Sequence, residues 1–175
     1  MARPTIENVR NVGDWATTVN WNLTFVTFPR ALARTVTFQD LNLRCESTDI
    51  PKSTGTSTEI MIRGHRVKQP GLYLPSGTIT LTMNESVDNK ISTFIRNWRE
   101  ICSETKTGVQ QEKSQVECMI KIERLNRRDV PIWEYNLLGC YLEDYDAGGQ
   151  LQGQSADILK PTLTISYDYF EDTPL

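Results

Sequence analysis

The chain has 175 residues and a formal net charge of −3, with ordinary fractions of hydrophobic and charged residues. That suits one globular domain, 1–175, with a sizeable core. Slight acidity gives no electrostatic case for gripping nucleic acid, and no apolar run approaches the roughly 20 residues of a membrane span.

Residues 1–19 read as an N-terminal segment without the apolar centre of a secretory signal. Ile6, Val9, Arg10 and Val12 give a short helix a weak face, broken at Gly13-Asp14 before Trp15. From Asn20 to Phe28, Trp21, Leu23 and Phe25 alternate with Asn22 and Thr24, the period of a strand, which Pro29 ends. Val36 and Phe38 share one parity while Leu41, Leu43 and Cys45 share the other. Within one strand this requires a bulge or a tight turn, placed at Gln39-Asp40. Residues 46–58, ESTDIPKSTGTST, read as an extended polar loop, longer than the usual about 4–6 residues. Ile50 is an apolar residue in this wet stretch and points to a docking contact; the plain alternative is a loop tip with no partner. Glu59–Val67 alternates as a strand, and 68–77, with Pro70-Gly71 and Pro75, reads as irregular.

Thr78–Cys102 carries the strongest signal. Ile79, Leu81 and Met83 alternate with Thr78, Thr80 and Thr82, and then the period changes. Val87, Ile91, Phe94, Ile95, Trp98, Ile101 and Cys102 fall on one stripe of a helix over 87–102, with Ser86 as its N-cap and Asp88 in its first turn. Glu104–Ser114 is polar and crosses the surface. Val116, Cys118, Ile120 and Ile122 form a strand, the turn Asn126-Arg127-Arg128-Asp129 follows, and Pro131–Leu142 returns with Trp133, Tyr135 and Leu137 as a hairpin. Tyr145–Ser155 is a Gly- and Gln-rich loop. Leu163, Ile165, Tyr167 and Tyr169 mark a two-faced last strand. The expected class is mainly β: an antiparallel β-barrel or sandwich of about seven strands with one flanking amphipathic helix, which buries every apolar face.

Chemistry is not legible. His65 is the only histidine and has no nucleophile motif beside it. Cys45, Cys102, Cys118 and Cys140 sit in apolar patterns and read as reduced core residues. Glu143, Asp144 and Asp146 lack the alternating ligands of a calcium loop, and Arg124, Arg127 and Arg128 read as a charged hairpin turn. No enzyme activity, cofactor or metal is expected.

Three stretches together resemble the tail tube protein of contractile-tailed bacteriophages. Cys45, Thr48 and Ile50-Pro51 are similar to that family's Cys-x-x-Thr-x-Leu-Pro start of a long loop. Thr80, Thr82, Met83-Asn84-Glu85, then Phe94, Trp98 and Ile101, match a Thr-x-Thr-x-Met-Asn-acidic strand end followed by a Phe-x-x-x-Trp-x-x-Ile helix. Thr162–Glu171 is similar to its last strand, which closes on Asp-Tyr-aromatic-Glu, and Gly13-Asp14-Trp15-Ala16 to an N-terminal Gly-Asp-aromatic-Ala. No match is found in 106–114, 145–154 or 172–175.

The resemblance implies a structural virion protein, assembled in the bacterial host cytoplasm. Its homo-hexameric rings would stack into a tube inside the tail sheath, with baseplate and tail-terminator proteins at the ends. Tape-measure protein and double-stranded DNA would pass through the lumen without specific binding. It assigns inter-ring and inter-subunit contacts to Asp14, Trp15, Thr48, Asp49, Ile50, Pro51, Lys52, Ser53, Thr54 and Gly55, and a packed core helix to Val87, Ile91, Phe94, Ile95, Trp98 and Ile101. A baseplate or tube-capping ring protein of the same fold, and a tube subunit of a type VI-like injection system, are the near alternatives. A carbohydrate-binding β-sandwich using Trp21, Trp133 and Tyr135 is a remote one.

Overall fold

The computed structural model describes residues 3, 5–13, 15–29, 32, 36–154 and 156–175. Among these, a short helix α1 (Ile6–Arg10) precedes β1 (Trp21–Thr27), α2 (Phe38–Arg44) and β2 (Cys45–Thr48). Two long strands, β3 (Ser53–Ile62) and β4 (His65–Pro75), lead to β5 (Thr78–Met83) and the main helix α3 (Lys90–Cys102). A single turn α4 (Lys113–Val116), β6 (Cys118–Leu125), β7 (Pro131–Asp146), β8 (Thr162–Ser166) and β9 (Tyr169–Pro174) complete the order. The fold is β-rich, and every strand pairing is antiparallel.

One sheet of seven strands runs β1-β6-β7-β8-β5-β2, with β9 beside β7. It is curled but not a closed barrel, because β1 and β2 end the order without pairing. β7 serves two partners in turn: Trp133–Leu138 faces β9 and Tyr141–Asp146 faces β8. The switch falls at Gly139, whose φ of +67° is open to glycine and whose missing side chain leaves room for the carboxylate of Asp168.

Residues 38–44, expected as part of a bulged strand, are helical. The parity change at Gln39-Asp40 is helical spacing, and Thr37 and Asp40 form a reciprocal capping box: the Asp40 N–H donates to the Thr37 hydroxyl at 3.2 Å, and the Thr37 N–H donates to the Asp40 carboxylate at 3.4 Å. Helix α2 packs beside both β1 and β2. Asn42 there takes the place of a missing strand: its Oδ1 accepts the Leu23 N–H at 2.9 Å and its Nδ2 donates to Asn22 at 3.3 Å.

The core lies between the inner face of the sheet and α3. Leu23, Phe25, Ile79, Leu81, Met83, Ile120, Leu137, Leu163 and Ile165 meet Ile91, Phe94, Ile95 and Trp98 there. Trp98 is fully buried, stands edge-on to Phe25, and donates its indole N–H to the Val116 carbonyl at 3.1 Å. Ile101 and Cys102 are partly buried at its end.

The helix begins three residues later than its apolar stripe suggests. Val87, expected on the packed face, is 99% exposed in the turn before α3. Ser86 is not the cap either. The carboxylate of Glu85 fills that role, accepting the Ser92 N–H and hydroxyl at 2.6 Å each and the Ile91 N–H at 3.3 Å. Arg44 of α2 reaches the same turn, donating to Asp88 at 3.0 Å and to Ser86. The Ser86 hydroxyl and Arg44 hold the Asp88 carboxyl down to about 2.

Candidate functional site

β3 and β4 form a two-stranded sheet of their own, an arm whose strands pair only with each other. The region read as an extended loop over 46–58 is therefore the end of β2, a short link and most of one arm strand; 68–77, expected as irregular, is mostly the other. The turn Arg63-Gly64 has positive φ at both positions, 49° and 82°, the geometry whose twist suits a two-residue hairpin. Six large apolar side chains on the arm stay exposed: Met61, Ile62, Val67, Leu72, Tyr73 and Leu74. A two-stranded ribbon with no core on either face is marginal in water, and six exposed large apolar side chains on one ribbon exceed the scattered single ones usual on a surface.

The root of the arm is built from the residues singled out in sequence. Thr48 pairs with Leu81 at the end of β2. Asp49 then clamps β5, accepting the Thr80 N–H on its carboxylate at 3.0 Å while its own N–H donates to the Thr80 carbonyl at 3.2 Å. Ile50 is 55% exposed, but Pro51 is buried. The Lys52 carbonyl accepts the Ser76 N–H at 2.8 Å, and Ser53 and Thr54 open the ribbon opposite Pro75 and Leu74. At Gly55 the Tyr73 ring lies so close that a side-chain carbon would meet it at 2.8 Å.

Asp14 lies outside the described residues. Trp15 is 63% exposed and lines a depression of about 380 Å³ with Ala16, Thr17, Asn126 and Ile132. Thr17 also lines a second hollow of about 200 Å³, bounded by Trp21, Thr48, Ile50 and Arg124. The N-terminal segment and the arm root are thus neighbours on one end of the body.

The aromatics weighed as a sugar platform are spent elsewhere. Tyr135 is buried, Trp21 and Trp133 are partly buried against the core, and the Arg124 guanidinium covers the Trp133 ring at 5.3 Å. Burial pushes the Cys45 thiol up to about 12 and raises that of Cys102 as well, so both are neutral and unreactive at ordinary pH.

No family model matches the chain, and no curated protein matches it. Solved structures do. A chain of the sheath/tube terminator of the extracellular contractile injection system PVC superposes with a TM-score of 0.64 at 14% identity, covering 93% of this chain and 99% of that one. A chain of the anti-feeding prophage tube-terminating cap gives 0.62 at 14% identity, covering 93% of each. A chain of the PVC sheath-tube complex gives 0.60 at 12% identity over 99% of this chain and 100% of that one. The fold is that of contractile-system tube and cap proteins. In this tail-tube-like fold the arm and the Trp15 segment are additions to the curled sheet, and the Glu85 cap joins its fifth strand to its helix.

Proposed function

We propose that this chain is a non-enzymatic structural subunit that closes into rings and stacks into the inner tube of a contractile phage tail or a related injection machine. The observation that carries this reading is the arm: an uncovered apolar ribbon anchored at its root by Asp49, Pro51 and Ser76, on a body whose own core is complete without it. The free side of β9 supplies an edge that a ring neighbour would cover, while α2 already lies against β1 and β2. In a hexameric ring the slight negative charge suits a lumen wall that lets DNA slide, since each phosphate neutralised by a cation adds affinity and drag. A sheath outside, a tape-measure protein inside, and baseplate and terminator proteins at the ends complete the assembly.

A second reading, an end ring of the same machine, draws on the likeness to cap, terminator and baseplate chains. Negative-stain microscopy of the purified chain separates the two. A tube subunit grows hollow filaments whose length rises with concentration; an end ring stops at single or paired rings. A protein that remains a monomer at high concentration overturns both.

A further inference from the structure

The arm tip carries Arg63, Arg66 and Lys68 against one carboxylate, Glu59, which takes ion pairs from Arg66 at 2.6 Å and Lys68 at 3.3 Å. Register puts Ile60 opposite Val67 and Ile62 opposite His65, so the face away from these charges is apolar. The tip is a cationic wedge with a greasy side.

A groove on the body has the opposite character. It holds about 870 Å³ between the end of α3, the segment 103–117 and the residues after β1, with Phe28, Pro29 and Ile101 as its apolar part and Glu100, Glu104 and Glu117 as its acidic part. Glu100 is already engaged by Arg99 at 2.6 Å, and the Thr105 hydroxyl and N–H hold its carboxyl down to about 2. Glu104 and Glu117 are exposed.

The arm root and the groove lie near the two ends of β1. β1 starts at Trp21, which shares a hollow with Thr48 and Ile50 at the arm root, and finishes at Thr27 beside Met119, where Phe28 and Pro29 turn into the groove. A surface that fits a different surface of an identical copy makes a head-to-tail contact, which propagates instead of closing on itself.

We propose that the arm tip, residues 60–67, of one subunit seats in the Phe28–Pro29–Ile101 groove of a second copy in the next ring, with Arg63 and Arg66 facing Glu104 and Glu117. This rests on the stacked-ring reading and names the surface that receives the arm. Ile62 and Val67 supply buried apolar area, and the charges set polarity and register.

Charge reversal tests it. Arg63→Glu and Glu117→Arg should each leave the melting temperature of the subunit near wild type and raise the concentration needed for filament growth by about tenfold. An equimolar mixture of the two variants pairs a native tip with a native groove at only some contacts, so recovery is sought in the double variant Arg63→Glu/Glu117→Arg, which should regain growth. A photo-reactive benzoylphenylalanine at His65 should cross-link to peptides from 100–117 in assembled wild-type background. Filaments that grow normally with either single reversal, or whose cross-links fall outside 100–117 and 28–29, overturn this inference while leaving stacked rings standing. A wild-type chain that never assembles overturns both.

Discussion

Glu85 sits between β5 and α3 with its side chain 3% exposed. Burial alone would raise its pKa, but the hydrogen bonds from Ser92, Ser86 and Ile91 outweigh that, and the carboxyl is held below the ordinary glutamate value of 4.5. Those donors include two of the N–H groups that a helix leaves without partners in its first turn, so the charge that finishes the strand also starts the helix. Because the folded value is depressed, the stabilisation is complete above the unfolded value and vanishes as pH falls through the folded one. Glu85→Ala is expected to cost about 2 kcal/mol at neutral pH, the size of a lost cap made by a charged group. Urea unfolding of wild type and Glu85→Gln should show a gap at pH 7 that narrows below about pH 4. A gap that stays constant over that range would mean the carboxylate charge plays no part in capping.

At the scale of elements, α3 was legible because one face is a near-continuous apolar stripe, and Ile91, Phe94, Ile95 and Trp98 are buried as that stripe requires. Its start was not, because Val87 fits the helical spacing while the cap comes from a residue upstream and the intervening turn puts Asn89 at φ +51°. Helix α2 was missed although Thr37-Phe38-Gln39-Asp40 carries the capping-box signature; seven residues are too few for periodicity to outvote a strand. The arm was half missed for a different reason. The first half of its first strand, 53–58, is Ser, Thr and Gly with neither face buried, so alternation has nothing to report, and 59–67, which alternates like one strand, turns back at Arg63-Gly64. Trp15 and Ile50 stand exposed, lining neighbouring hollows that share Thr17. Trp98 offers the direct check on α3. Trp98→Ala should cost roughly 3–5 kcal/mol by leaving a cavity between Phe25 and Phe94. Trp98→Phe should cost less but strand the Val116 carbonyl, so the two melting curves together divide packing from the indole hydrogen bond.

For the whole molecule the decisive question is whether the arm belongs to the body that carries it. None of the fully packed core residues falls between Leu41 and Ile79, so the arm contributes no core side chain. Ser53 and Pro75 stand opposite each other at its base, close enough for residues 54–74 to be replaced by Asn-Gly, the dipeptide that closes a two-residue hairpin. Folding of this short form should be nearly unchanged, with a melting temperature within about 4 °C of the full chain, the shift that about 1 kcal/mol produces in a chain of this size. Assembly should fail completely, since the apolar surface on Ile62, Val67, Leu72 and Tyr73 goes with the arm. Analytical ultracentrifugation of both proteins at matched concentration reads the two expectations at once. Collapse of the short form would place the arm in the folding unit and remove the reason for calling it a docking device. Filaments grown without it would move ring stacking to the surface around Trp15 and Arg128, the other exposed rim at the arm-root end.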